Sequence, residues 1–260
     1  MALLEVDDIV IRFGGVTAVA GVSFEVAEHQ ICGLIGPNGA GKTTTFNCIS
    51  GIYRPNSGRV LFQGRDITGE PRHRMTGLGI GRTFQNLALF RSMTVRDNVL
   101  AGAHASGRSG FIASALNLPL VRREAQEAEA RARELLALLN LERVAELPVA
   151  ALPFGWQKRV EMARALISRP KLLLLDEPAG GLNHGEVDEL AELLVDIRRN
   201  FDLSILLVEH HMSLVMRVSD KVAVLDFGKK IADGTPDEVR NDPEVIKAYL
   251  GAGDEHAQAA

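Results

Sequence analysis

Residues 36–43 read Gly-Pro-Asn-Gly-Ala-Gly-Lys-Thr, and this run constrains the fold more than any other segment of the chain. It follows a short apolar stretch predicted as a strand, residues 30–35, and precedes a predicted helix, residues 42–50. Glycine permits backbone conformations that side chains forbid, so successive N–H groups can point toward one anion at the positive end of the helix. The pattern is that of a phosphate-binding loop, and it predicts an α/β chain that binds a nucleoside triphosphate.

Each residue type in this loop has its own role in binding a phosphate. Gly39 and Gly41 supply the backbone freedom, Lys42 places an ammonium on the β- and γ-phosphates, and Thr43 offers a hydroxyl to Mg²⁺. A glycine-rich turn with a solvated lysine is the structural alternative. The predicted nucleotide-binding residues here are Gly36, Pro37, Asn38, Gly39, Ala40, Gly41, Lys42, Thr43 and Thr44.

A second group of candidate residues follows the leucine run at 172–175. This run predicts a strand buried on both faces, and Asp176 and Glu177 stand where the strand emerges. Asp176 is placed to hold Mg²⁺, and Glu177 is placed to orient and polarise an attacking water. Pro178 cannot donate to a sheet ladder and helps to end the strand. An acidic turn after a core strand is the alternative interpretation.

Two further polar residues follow predicted strands. Gln85 comes after residues 80–84, and His210 comes after residues 204–208. In open α/β sheets ligands lie outside the carboxyl ends of the strands, so one sheet could gather both side chains around one nucleotide. The neighbouring His211 competes with His210, and spacing alone does not separate them.

Composition excludes several classes of protein. The 260 residues include 29 basic and 33 acidic side chains, a net charge of −4, which argues against nucleic acid as the main partner. We find no apolar run of the roughly 20 residues that a membrane-spanning helix needs. The N-terminus lacks the basic region of a signal peptide. The two cysteines, Cys32 and Cys48, have no metal-type spacing, and a reducing cytoplasm fits them best.

Apolar strands alternate with helices along the chain, which predicts a parallel sheet covered on both faces. We expect a P-loop NTPase (RecA-like) α/β core with an N-terminal antiparallel β subdomain and a helical subdomain insertion. The predicted limits are a single domain over 1–252, with a nucleotide-binding core and β subdomain in 1–85 and 170–252. The helical subdomain covers 86–169, and residues 253–260 form a flexible tail.

Taken together, these motifs resemble the ATPase subunit of an ATP-binding-cassette (ABC) transporter, from about Leu3 to Gly251. The phosphate loop, Gln85, the 172–178 strand motif and the histidine occur in the family's order. The resemblance implies that Phe13 stacks on adenine, although a phenylalanine buried in a core strand is the rival interpretation.

The family's signature, usually Leu-Ser-Gly-Gly-Gln, maps onto residues 152–156, where Leu152 and Gly155 match. Pro153 lacks the hydroxyl that normally touches the γ-phosphate, and Trp156 replaces an amide side chain. Asn183 stands where the family generally has Asp. The resemblance therefore implies a weakened signature and is also partial at the 181–183 loop.

The resemblance is closer to the larger ATPase subunit of bacterial branched-chain amino-acid importers. It rests on the 178–183 loop, the degenerate signature and the ending at 240–251. ATPase subunits of urea or short-amide importers are the nearest alternative, and lipopolysaccharide export ATPases are related but usually shorter. The expected function is ATP hydrolysis that energises membrane transport of branched-chain amino acids.

The resemblance also implies cofactors, partners and residue roles. ATP and Mg²⁺ are the expected cofactors, and two ATPase subunits face each other head to tail, as a heterodimer or a homodimer. Two membrane permease subunits and, indirectly, a periplasmic solute-binding protein complete the assembly at the cytoplasmic face of the inner membrane. We expect no nucleic-acid partner. The implied roles are Glu177, His210 and Lys42 in catalysis, Thr43, Gln85 and Asp176 at the metal, and Phe13, Gln85, Leu152 and Gly155 at the nucleotide.

Three other functions remain open from the residues alone. A small-molecule P-loop kinase would have no use for Glu177, His210 and the signature helix together. A soluble cassette ATPase acting on DNA or ribosomes usually has long coiled coils or two cassettes in one chain. A nucleotide-binding module without hydrolysis is opposed by Glu177 and His210 and favoured by the altered signature.

Overall fold

The computed structural model describes residues 2–83, 87–103 and 119–257. The strands are β1 (Ala2–Phe13), β2 (Val16–Ala27), β3 (Ile31–Ile35), β4 (Ser57–Phe62), β5 (Arg65–Asp66), β6 (Ile80–Arg82), β7 (Leu172–Asp176), β8 (Ser204–Val208), β9 (Lys221–Asp226) and β10 (Lys229–Gly234). The helices are α1 (Lys42–Ile49), α2 (Arg72–Leu78), α3 (Val95–Ala103), α4 (Pro119–Leu138), α5 (Phe154–Leu166), α6 (His184–Asn200), α7 (Met212–Val218), α8 (Pro236–Arg240) and α9 (Pro243–Ala257). Short 3₁₀ turns occupy Glu142–Val144 and Val149–Ala151.

The chain divides into two compact units. The first comprises residues 1–75 and 174–260, and the second comprises residues 76–173. The segment predicted as the helical subdomain, 86–169, lies within the second unit. The last helix, α9, extends to Ala257 and so includes part of the segment predicted as a flexible tail.

The N-terminal part of the first unit is an antiparallel sheet, as the sequence predicted. Its four strands have the order β2-β1-β4-β5. Along β1, buried positions such as Leu4, Val6 and Ile9 are interleaved with more exposed ones, because the two faces of the sheet meet different surroundings. Strand β2 covers twelve residues from Val16 and lies at one edge of this sheet.

The larger sheet supplies the strand ends that build the site. In the first unit its strand order is β10-β9-β3-β8-β7, and β3 pairs in parallel with both β8 and β9. Every residue of β3, β7 and β8 is buried, which fits their continuous apolar sequences. Strand β10, which the sequence analysis did not assign, pairs antiparallel with β9. The carboxyl ends of β3, β7 and β8 therefore meet at one edge of the sheet.

The second unit is mostly helical. Helices α3 and α4 are joined by Arg96, whose Nη2 and Nε donate to the Glu129 carboxylate at 2.7 and 3.2 Å. The buried Asn98 side chain accepts from the Phe90 N–H at 2.8 Å and donates to the Phe90 and Thr94 carbonyls. These bonds order the segment that leads into α3. Among the described residues, the helices include none that is both long enough and apolar enough to cross a membrane.

Candidate functional site

The phosphate loop takes the conformation that its glycines predict. Gly36, Gly39 and Gly41 have φ values of 148°, 81° and 96°, in the region that favours glycine. A Cβ at Gly36 would lie 2.0 Å from the Leu225 carbonyl oxygen, whereas a Cβ at Gly39 would meet nothing within 4 Å. The loop is thus packed closely at its start and open at Gly39, as a cradle for an anion requires. The first turn of α1 contains no acidic residue that would repel phosphate.

A turn that the sequence analysis did not assign supports this loop from outside. Between β9 and β10, the Gly228 N–H donates to the Ala40 carbonyl at 3.1 Å, and the Gly228 carbonyl accepts from Ala20 at 2.7 Å. The last helix also approaches the loop. Burial raises the pKa of the Tyr249 phenol to about 12, and the Gly36 backbone N–H acts in the opposite direction. Distant parts of the chain therefore hold the phosphate loop in place.

The Lys42 side chain bonds back to the backbone at the start of the phosphate loop. Its side chain is 8% exposed, and Nζ donates to the Gly36 and Pro37 carbonyl oxygens at 2.7 and 2.9 Å. Burial lowers the pKa of Lys42, and the Glu177 carboxylate partly opposes that change. The ammonium is therefore held at the loop and within electrostatic range of Glu177. Thr43 is exposed and Thr44 half-buried on the same first turn of α1.

The two predicted acids stand at the end of β7. Asp176 is buried with 3% exposure, and the Glu177 side chain is 26% exposed. Glu177 has a φ of 47°, a strained value for a residue with a side chain, while its N–H donates to the Val208 carbonyl at 2.9 Å. This bond ties Glu177 to the end of β8, the strand that precedes the two histidines.

The geometry distinguishes the two histidines. His210 Nδ1 lies 3.9 Å from Glu177 Oε1, and the His210 side chain is 51% exposed. His211 Nδ1 lies 3.1 Å from Glu209 Oε2, which is also 3.7 Å from His210 Nδ1, and Glu177 is a neighbour of His210. Within the described part of the chain, His210 is therefore the histidine that lies against Glu177 and remains accessible to a nucleotide.

Phe13 lies at the surface, not in the core of a sheet. It is 47% exposed and contacts Tyr53 edge to face, with ring centroids 5.2 Å apart. Tyr53 is itself 37% exposed. An exposed aromatic pair of this kind offers a surface on which a flat base can stack. The rival interpretation of Phe13 as a core residue is not supported by its exposure.

The signature residues lie in the second unit. Pro153 is the N-cap of α5 and supplies no side-chain hydrogen bond to the helix. Leu152 is buried, its carbonyl accepts from Gln157 Nε2 at 2.8 Å, and Gly155 is half-buried. Gln85, predicted at the nucleotide and the metal, lies outside the described residues.

The start of the helix after Asn183 tolerates this departure from the family pattern. Asn183 is the N-cap of α6, where its Oδ1 accepts from the Glu186 N–H at 3.0 Å. The Glu186 carboxylate accepts from the Asn183 N–H at 2.9 Å, which completes a capping box. Asparagine and aspartate are about equally good at this position, so the helix start is preserved.

The sequence analysis missed three residues of this region: Tyr53, Gly228 and Glu209. Glu209 is fully buried, and its carboxylate accepts from the N–H groups of Ala179 and His210. A charged residue directly after the apolar run of β8 is a signal that could have drawn attention to it. Tyr53 and Gly228 leave no comparable local signal, because their contacts join segments far apart in the chain.

Gly36→Ala is expected to lower the free energy of unfolding by about 2–4 kcal/mol, from backbone strain plus the clash with Leu225. Gly64 is the matched control. Its φ of 71° is also positive, but an added Cβ would meet nothing within 4 Å. Urea unfolding followed by circular dichroism should show Gly64→Ala losing only about 1 kcal/mol. Equal losses in the two variants would contradict the close packing assigned to Gly36.

Residues 19–180 match the family model described as ABC transporter, and residues 229–255 match a model described as branched-chain amino acid ATP-binding cassette transporter. The high-affinity branched-chain amino acid transport ATP-binding protein BraF of Pseudomonas aeruginosa is 44% identical, over 96% of this chain and 98% of that protein. The protein LivG of Salmonella typhimurium, described in the same words, is 45% identical over the same shares.

A solved structure agrees with the fold. An ATP-binding cassette of an ABC transporter in its ADP conformation superposes with a TM-score of 0.84 at 31% identity, covering 96% of this chain and 99% of the other. The predicted P-loop NTPase fold and the predicted family are both confirmed. The chain belongs to the ABC transporter family, as an ATP-binding cassette.

Proposed function

We propose that this chain is the ATP-hydrolysing subunit of an importer of branched-chain amino acids. The observation that supports this most is the identity of 44–45% over nearly the whole chain to two proteins named for branched-chain amino acid transport. The match of residues 229–255 to the branched-chain cassette model supports the same substrate class. The amino acid itself is not expected to contact this chain.

The residues of the first unit fit the triphosphate of ATP. The backbone of the phosphate loop would surround the β- and γ-phosphates, with Lys42 neutralising their charge. The exposed pair Phe13 and Tyr53 would accept the adenine ring. The open space at Gly39 and the lack of an acid in the first turn of α1 both favour this placement.

The same edge of the sheet offers the ligands that Mg²⁺ prefers. The hydroxyl of Thr43 and the carboxylate of Asp176 are hard oxygen donors. When bound, Mg²⁺ would neutralise charge on the β- and γ-phosphate oxygens. Gln85 stays a predicted third contributor.

Hydrolysis requires a water aligned with the γ-phosphorus. Glu177 would accept the proton of that water as its oxygen bonds to phosphorus, and the bond from phosphorus to the ADP oxygen would break. His210, next to Glu177, would donate a hydrogen bond to a γ-phosphate oxygen and stabilise the charge that develops there. Lys42 would hold the same phosphate from the loop side.

Partner subunits would complete the transporter complex. We place this chain at the cytoplasmic face of the inner membrane, with a second ATPase subunit opposite it and two permease subunits in the bilayer. In a head-to-tail pair, the 152–156 segment would serve the nucleotide of the partner. Because Pro153 has no hydroxyl to offer, the two sites of a heterodimer are expected to hydrolyse ATP unequally.

Reconstitution tests the substrate class. This chain, its partner ATPase, the permease subunits and the solute-binding protein are placed in liposomes, and phosphate release is followed with leucine or urea added. Leucine is expected to stimulate release and urea to leave it at the basal rate. Stimulation by urea alone would overturn the amino-acid assignment, and a Glu177→Gln complex shows the background.

A further inference from the structure

Glu209 is a carboxylate buried completely at the end of β8. A charge can be buried at tolerable cost only when hydrogen bonds satisfy it. Its Oε1 accepts from the Ala179 N–H at 2.8 Å. Its Oε2 accepts from the N–H groups of His210 and His211 at 2.8 and 3.0 Å and lies 3.1 Å from His211 Nδ1.

The two oxygens bind two different segments of the chain. Ala179 belongs to the loop that begins with Glu177, whereas His210 and His211 begin the segment after β8. Hydrogen bonds to an ionised carboxylate are stronger than those between neutral groups, so these bonds restrict both backbones. The consequence is a fixed distance between Glu177 and His210, whose Oε1 and Nδ1 lie 3.9 Å apart. Glu209 Oε2 also lies 3.7 Å from His210 Nδ1, so the carboxylate is near the His210 ring as well as its backbone.

We infer that Glu209 is a positioning residue for hydrolysis, which holds His210 in register with Glu177 through the two backbones. This inference rests on the proposed roles of those two residues. Glu209 has no exposure through which it could touch the nucleotide, so its effect must pass through the groups that it binds.

A metal-binding role for the same residues is less favoured. Glu209, His210 and His211 place ligand atoms within 4.8 Å of one another, which is compact enough for an ion. However, backbone N–H groups already occupy both carboxylate oxygens. The hydrogen-bond pattern thus accounts for the buried charge within the chain itself.

An amide cannot replace this carboxylate. Glutamine has nearly the same shape, but one end of its side chain is an NH₂ group, which donates and does not accept. In either orientation that end would face a backbone N–H, at Ala179 or at the two histidines. Glu209→Gln therefore releases one segment from the other with little change in volume.

The test compares Glu209→Gln with wild type in the assembled transporter complex. We expect kcat for ATP hydrolysis to fall by about tenfold or more, from the lost charged hydrogen bonds. The affinity for ATP should fall less than kcat does, because the phosphate loop and Lys42 keep their proposed contacts with the phosphates and only the proposed His210 contact is disturbed. Ser204→Ala is the matched control, since Ser204 is buried at the other end of β8 and its Oγ donates to the Ala27 carbonyl at 3.0 Å. It should lower stability without lowering kcat.

A double-mutant cycle separates positioning from a general structural effect. If Glu209 acts through His210, adding Glu209→Gln to a His210→Ala complex should change kcat by less than about twofold. An unchanged kcat in the single variant, or full multiplication of the two losses, would overturn the inference.

Amide hydrogen exchange tests the inference without a variant, in case Glu209→Gln does not fold. In the unmodified complex, the amides of Ala179, His210 and His211 should exchange slowly, because each donates to a buried carboxylate. Fast exchange at these three amides would also overturn the inference. A wild-type complex without ATPase activity would instead count against the proposed function, and exchange would still decide whether the Glu209 bonds exist.

Discussion

Glu177→Gln is expected to bind ATP almost normally while its turnover falls by about 100- to 10,000-fold, the range for loss of a general base. The amide keeps the shape of the side chain but cannot accept the proton of the attacking water. The surrounding structure fixes the backbone of Glu177, which has a strained φ of 47° and whose N–H donates to the Val208 carbonyl at the end of β8. Such strain persists only where surrounding structure over-determines it.

Two measurements on the assembled complex check this prediction. Calorimetry with Mg-ATP gives the affinity, and phosphate release gives the turnover. Glu28→Gln, an exposed acid in the same unit, is the control and should leave both unchanged. Normal turnover in Glu177→Gln would remove Glu177 as the base and favour another acceptor for the proton.

Lys42→Ala is expected to weaken ATP binding by about 100-fold or more, since charged hydrogen bonds to phosphate are lost without replacement. The 8% exposure of Lys42 and its bonds to two loop carbonyls hold the ammonium at the loop, where we propose that the phosphates bind. Lys42→Arg should not restore binding, because the planar guanidinium is larger than the ammonium that these carbonyls surround.

Equilibrium dialysis with labelled ATP measures this loss, and circular dichroism checks that the variant is folded. Lys229→Ala is the control, because Lys229 is an exposed lysine on β10. If the affinity fell by only a few-fold, a loss on the order of 1 kcal/mol in binding free energy, the role assigned to Lys42 would be contradicted.

The parts of the site that are contiguous in sequence were predictable. The residues of the phosphate loop form one local structure, and Asp176 and Glu177 follow a strand whose leucines indicate burial on both faces. The physical reason is that glycine φ values, helix starts and apolar runs depend on neighbouring residues. The signature at 152–156 was instead assigned from the resemblance to the family, with only two of its residues matching, and its role stays a prediction.

Contacts between distant segments were not predictable in this way. The support of Ala40 by Gly228, the pairing of Phe13 with Tyr53 and the buried Glu209 all join residues that are far apart in the chain or in different elements. The choice between His210 and His211 also depended on the tertiary structure, because the sequence does not show which way the side chains of two adjacent loop residues point.

The sequence by itself determined that this chain forms a nucleotide-binding α/β cassette, because its motifs are local and occur together in the order of the family that they resemble. Only the tertiary structure decided which histidine lies against Glu177, that Phe13 is exposed beside Tyr53, and that one buried carboxylate joins the segments that follow β7 and β8. The features at Glu177, His210 and Glu209 depend on the packing of β7 beside β8, which brings the carboxyl ends of the two strands to a common edge.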